Sequence, residues 1–166
     1  MANLVDAIGQ ISAYLLNSGM SIVTAESCTG GALASAFTSL PGSSAWFEGS
    51  FVTYRLSAKT RMLEIDAAEL KKYGAVSEHI VRRMAQQALT HSDARMSIAI
   101  SGLAGPDDDG TTAKLGTLWI AWAKQSDNSK LDWLASQSFE LHTSREIFRR
   151  KAVAFAIEGL VQRLFP

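Results

Sequence analysis

Ser27 and Cys28 stand side by side in the stretch Thr24–Gly31, T-A-E-S-C-T-G-G. A hydroxyl and a thiol are both nucleophiles once a base removes the proton. They fall between a β-branched run and two glycines, where a strand turns into a helix. Free backbone N–H groups point outward at such a turn, and the helix dipole favours negative charge there. That geometry serves an oxyanion hole or a phosphate cradle, with Thr29, Gly30 and Gly31 as the donors. A plainer alternative makes Ser27 or Thr29 an N-cap and the glycines the residues of a tight turn. A thiolate at a helix N-terminus can be activated, but a cysteine hydrolase normally needs a histidine base. None of His79, His91 and His142 is tied to this turn by spacing. A lone cysteine is more often a small buried apolar residue. The balance favours Ser27.

A serine needs a base too, and lysine can supply it when desolvation lowers its pKa from about 10.4 towards 7–8. Lys59 follows the run G-S-F-V-T-Y-R-L-S-A at a strand-to-helix junction, where it can point to the same end of a sheet as Ser27. Solvated lysines are far commoner. Tyr54, five residues earlier, is either a ligand of Ser27, Lys59 or substrate, or simply a strand aromatic. A second loop, S-G-L-A-G-P-D-D-D-G, brings Ser101, Gly102 and Gly105 with further backbone donors. Its three aspartates, Asp107 to Asp109, do not converge on one ion by being consecutive, and a solvated tip is expected. No His/Cys spacing resembles a zinc site, and no metal or organic cofactor is called for. Arg145 and Arg149 lie one turn apart on one face of the last helix. Arg145 falls in the first turn, a poor place for a cation unless an anion sits beside it.

The elements that must position these groups follow from periodicity. Leu4, Val5, Ile8, Ile11, Leu15 and Leu16 lie at helical spacing and predict a first helix ending near Asn17–Gly19. Strands are predicted in M-S-I-V-T-A-E-S, A-W-F-E-G-S-F-V-T-Y-R-L, A-R-M-S-I-A-I-S-G, G-T-L-W-I-A-W-A-K and W-L-A-S-Q-S-F-E-L. Helices are predicted after Gly31, from Ser57, in D-A-A-E-L-K-K-Y-G, in S-E-H-I-V-R-R-M-A-Q-Q-A-L-T-H-S, and from a T-x-x-E capping box at Thr143 to the end. Strands separated by helices predict parallel pairing, and the three late strands predict antiparallel pairing. The expected fold is α/β: a single domain over residues 1–166, one mixed parallel/antiparallel sheet with helices on both faces. Sites in such sheets lie at strand carboxyl ends, which selects the loops Glu26–Gly31 and Ser101–Gly116.

Composition narrows the function classes. Lys plus Arg and Asp plus Glu each number 16. A net charge of zero gives no electrostatic footprint for nucleic acid or an anionic membrane. With 47% hydrophobic residues and no run of about 20 apolar residues, a soluble, cytoplasmic protein is expected. One cysteine excludes an internal disulfide. A homo-oligomer is compatible with the apolar strands and with aromatics such as Trp46, expected here to be exposed.

Taken in order and spacing, T-A-E-S-C-T-G-G, G-S-S-A-W-F-E-G-S-F-V-T-Y…A-K, Y-G-A-V-S-E, S-G-L-A-G-P and G-T-L-W-I-A-W-A resemble the CinA C-terminal domain family, from about Val23 to the last helix. The resemblance implies a nicotinamide-nucleotide amidohydrolase that takes a pyridine mononucleotide as its small-molecule substrate. It also implies Ser27 as nucleophile, Lys59 as base, Tyr54 in the site, and Arg145, Ser101 and Gly102 beside the substrate. Three departures stand out: Arg55-Leu56 replace a small polar residue and Asn, Lys114-Leu115 replace Pro-Val, and Thr143-Ser144 replace Gly-Asp. The first and third bear on substrate grip. They leave two alternatives open: a nucleotide-binding homologue without turnover, or an amidase for another small amide.

Overall fold

The computed structural model describes residues 4–107, 110 and 112–166. Helix α1 (Leu4–Asn17) leads into strand β1 (Ile22–Glu26), then helix α2 (Ala32–Thr38), a 3₁₀ turn at Ser43–Ala45 and strand β2 (Phe47–Val52). Three helices follow: α3 (Leu56–Leu63), α4 (Ala67–Tyr73) and α5 (Glu78–Thr90). Strands β3 (Met96–Gly102), β4 (Thr117–Gln125) and β5 (Leu131–Glu140) precede the long helix α6 (Arg145–Leu164).

The five strands form one sheet in the order β2-β1-β3-β4-β5. β1 runs parallel to β2 and β3, while β4 is antiparallel to β3 and β5, as the element order predicts. Each face buries its own core. Ile8, Ile11 and Leu15 of α1, Leu33 and Phe37 of α2, and Phe148, Ala152 and Ile157 of α6 cover one face with Ile22, Ile98, Ile120 and Trp122. On the other, Ile80, Val81, Met84 and Ala88 of α5 join Leu63, Leu70, Val23, Ala25 and Ala99. Every residue of β1 is buried, which is why its five residues read as an apolar run instead of an alternating one.

Two details depart from expectation. Helix α6 is capped by Ser144, whose Oγ accepts from Ile147 N, so the helix begins one residue beyond the T-x-x-E box at Thr143. Trp46 is 1% exposed and packs edge-on against Phe37, so it belongs to the core and offers nothing to an interface.

The topology places the site. From β1 the chain proceeds to β2 on one side and later to β3 on the other. Opposite departures open a crevice at the carboxyl end of β1. Two backbone bonds carry the pairing just past the strands: Ser27 N donates to Ile100 O at 3.0 Å, and Thr53 N donates to Glu26 O at 2.8 Å. The segments after β1, β2 and β3 are thereby held side by side.

Candidate active site

Ser27 follows the last residue of β1. Lys59 lies in the second turn of α3, and its side chain runs back beneath the end of the sheet. It is 1% exposed. Its Nζ lies 2.8 Å from Ser27 Oγ and donates to the Thr53 carbonyl at 2.6 Å. No carboxylate is among these partners, so burial dominates and lowers the ammonium to a pKa of about 8. Cys28 is buried beside this pair, and burial pushes its thiol up to about 12. The same enclosure that frees a lone pair on the lysine thus suppresses the thiolate. Of the two adjacent side chains, Ser27 is the one hydrogen-bonded to Lys59.

Ser27, Cys28, Tyr54, Lys59, Ser101, Gly102, Gly105 and Arg145 all line one cavity of about 880 Å³, within the usual range for small-molecule sites. Tyr54 does not touch Ser27 or Lys59 through its hydroxyl; Arg145 donates to that oxygen at 2.6 Å and to the Gly105 carbonyl at 2.8 Å. This bridge joins the segments after β2 and β3 to the start of α6. Ser101 is buried, and its hydroxyl donates to the Ala75 carbonyl at 2.7 Å. Gly102 is needed for packing: a Cβ there would stand 2.9 Å from the Phe148 ring and 3.0 Å from Thr117 O. Arg55 and Leu56, the first of the three departures, also line the cavity and are exposed at the start of α3.

Thr29, Gly30 and Gly31 are placed differently from expectation. None lines the cavity. Gly30 N donates back to Ser27 O at 3.1 Å, and Gly31 N donates to a Glu26 carboxylate oxygen at 3.0 Å. Glu26, fully buried at the end of β1, also accepts from Thr29 Oγ1, Leu33 N, Ala34 N and Ser50 Oγ. The open N–H groups at the start of α2 are therefore consumed by a carboxylate of the chain itself, in the position that the helix dipole favours. Neither Ser27 nor Thr29 is the N-cap; Gly31 occupies it with φ +97°. Among the described residues, the amides of Cys28 and Thr29 donate to no backbone carbonyl.

Three contributors escaped the sequence: Glu26, the Thr53 carbonyl, and Arg149, which donates to the Cys28 and Thr29 carbonyls. The only trace of Arg149 is its position one turn after Arg145. Asp108 and Asp109 lie outside the described residues; Asp107 lines the cavity. Among the described residues no cluster of His, Cys, Asp and Glu could hold a metal ion, and no helix is long and apolar enough to cross a membrane.

Comparison with known proteins agrees with this architecture. The chain is 40% identical over 153 residues to a protein of Pseudomonas putida named nicotinamide-nucleotide amidohydrolase PncC, covering 92% of both chains. It is 44% identical over 141 residues to a CinA-like protein of Colwellia psychrerythraea, covering 85% of this chain and 31% of that one. The crystal structure of a competence damage-inducible protein A from Klebsiella pneumoniae superposes with a TM-score of 0.89 at 30% identity, over 98% of this chain and 97% of the other. The family model of the CinA C-terminal domain matches residues 6–164, and the chain belongs to that family.

Proposed function

We propose that the protein hydrolyses the carboxamide of nicotinamide mononucleotide to nicotinate mononucleotide and ammonia, with Ser27 as nucleophile and Lys59 as general base. The observation that carries this is the 2.8 Å approach of Lys59 Nζ to Ser27 Oγ inside a desolvated pocket. The names of relatives at about 40% identity support the substrate.

The chemistry follows from the contacts. Neutral Lys59 donates one N–H to Thr53 O, which leaves its lone pair free for the Ser27 hydroxyl proton. Ser27 Oγ attacks the amide carbon, and the carbonyl electron pair moves to oxygen. The amide of Cys28, the cavity-lining residue next to Ser27, is the donor for that oxyanion. Lys59 returns the proton to the leaving nitrogen, the C–N bond breaks, and ammonia departs from an acyl-serine. Water then repeats the sequence: Lys59 takes its proton, the hydroxide oxygen attacks, and Ser27 leaves with the proton restored. No step draws on a metal or an organic cofactor.

Charge around the cavity suits a phosphorylated substrate. Arg55, Lys71, Lys72 and Arg145 line it against one described acid, Asp107, in a chain of zero net charge. Arg145 retains guanidinium protons beyond its two protein bonds and is the proposed partner of the phosphate. Thr29, Gly30 and Gly31 shape the nucleophile turn from behind instead of touching substrate.

The test is ammonia release from nicotinamide mononucleotide by the purified protein and two variants. Ser27→Ala is expected to abolish release while still binding the nucleotide, and Cys28→Ala is expected to remain active. The reverse pattern moves the nucleophile to Cys28. Silence from the native protein with the nucleotide bound leaves a binding protein.

A further inference from the structure

Two arginines, Arg55 and Arg145, line the cavity, and their guanidinium groups are in different circumstances. Arg145 already spends N–H groups on the Tyr54 hydroxyl and the Gly105 carbonyl, at 2.6 and 2.8 Å. Arg55 follows Tyr54 in the chain. Its side chain does not cap α3 and, among the described residues, pairs with no other group. Every N–H of its fork is uncommitted.

The backbone beneath this side chain is nonetheless fixed. Ala58 N and Lys59 N donate to the Arg55 carbonyl at 3.1 and 3.2 Å, so Arg55 opens the helical turn that carries Lys59. Arg145 comes from the start of α6 and meets the same place through Tyr54. The two arginines therefore flank Tyr54, one along the chain and the other through a hydrogen bond. A phosphate monoester offers three acceptor oxygens and carries between about 1.5 and 2 negative charges at pH 7. Arg145, tied to Tyr54 and Gly105, presents part of its fork to such a group, and a second guanidinium completes the set of donors. The family pattern has a small polar residue where this chain has Arg55, so the second cation belongs to this chain.

We propose that Arg55 is a specificity-determining residue: with Arg145 it grips the substrate's phosphate beside Tyr54, and it sets the preference for the mononucleotide over its nucleoside. This rests on the pyridine-nucleotide reading of the cavity. The phosphate is remote from the scissile amide, so the grip acts on substrate and product alike and appears in KM rather than in kcat.

The experiment measures calorimetric affinity for nicotinate mononucleotide and for nicotinate riboside, and KM and kcat for the corresponding amides. The proteins are the native chain, Arg55→Gln, Arg55→Lys and Lys71→Gln, the last removing another cation that lines the cavity. A charge-assisted bond to phosphate, partly screened at an open site, corresponds to about 5- to 30-fold in affinity. Arg55→Gln is expected to lose that much for the mononucleotide and less than about twofold for the riboside, with the loss shrinking as salt screens the charge. Arg55→Lys, which keeps the charge without the fork, is expected to fall between the two. Native mononucleotide affinity in Arg55→Gln overturns the proposal, as does an equal fall for both ligands or a change confined to kcat. A loss carried by Lys71→Gln in place of Arg55→Gln also overturns it and moves the phosphate to α4. A native protein that binds mononucleotide and riboside equally well refutes the phosphate grip itself. Failure of the amidohydrolase reading is distinct: a native protein that releases no ammonia, yet loses mononucleotide affinity in Arg55→Gln, is a nucleotide-binding protein with this same grip.

Discussion

Burial of Lys59 sets the expected pH dependence. With a pKa of about 8, roughly 9% of the lysine is neutral at pH 7. At the ordinary value of 10.5 the neutral share would be about 0.03%, so burial raises the supply of base about 300-fold. That corresponds to about 3 kcal/mol of differential cost between the protonated and neutral forms. Since the base must be neutral to accept the Ser27 proton, kcat/KM is expected to rise with pH, about tenfold between pH 7 and 9, and then level off. Initial rates of ammonia release from pH 6 to 10, at substrate well below KM, give the curve. Lys59→Arg removes both the rate and the rising limb, because a guanidinium does not give up its proton in this range. An apparent pKa near 6.5 would refute the reasoning and point to a histidine. The structure offers none in the cavity: His79 stacks on Tyr73 and contacts Glu69, and His142 is exposed. A flat profile, or a Lys59→Arg variant with native activity, would refute it equally.

Two stability measurements follow from the same buried charges. Lys59 has a lower pKa folded than unfolded, so between about pH 8 and 10.5 the unfolded chain binds more protons and stability rises with pH. Lys59→Met is expected to flatten that rise and to be more stable at pH 7 by up to about 3 kcal/mol, less whatever the lost bonds to Ser27 and Thr53 contributed; urea melts at pH 7 and 10 decide it, and a less stable variant at pH 7 contradicts the burial account. Glu26→Gln is expected to cost about 2–4 kcal/mol, because one end of the amide presents N–H groups to the donors that the carboxylate accepts. Thermal melting checks this, and an unshifted midpoint would mean the turn is held elsewhere.

Much of the frame was legible because it depends on local pattern. The apolar stripe of α5, the fully apolar β1 and the order of strands and helices predict the mixed sheet, and the sheet brings the ends of β1, β2 and β3 together. Ser27 and Lys59 were candidates by type and by position at strand ends, the family resemblance singled them out, and the fold brings them within 2.8 Å although 32 residues separate them. What stayed hidden was the destination of backbone N–H groups. A turn with two glycines looks like an open anion cradle unless a carboxylate already fills it, and nothing in T-A-E-S-C-T-G-G says that Glu26 folds back onto the helix it precedes. Arg149 was hidden for a related reason. Its partners are carbonyls, which every residue carries, so beyond its place one turn after Arg145 no spacing marks it.

The buried charges around this turn receive opposite treatment, and that contrast explains how a rigid turn and a reactive base coexist. Glu26 has five protein donors, from Thr29, Gly31, Leu33, Ala34 and Ser50. A carboxylate so satisfied is a structural anchor: it fixes the first turn of α2 and, with Arg149, leaves the Cys28–Thr29 peptide little freedom to rotate. Lys59 has an uncharged carbonyl and an uncharged hydroxyl, and no carboxylate. An ammonium in that position is under-compensated, and its pKa falls to about 8. Had the partner of Lys59 been a carboxylate, the ion pair would have held the proton and left Ser27 without a base. The absence of an acid from the contacts of Lys59 among the described residues is therefore as much a part of the proposed catalyst as the lysine itself.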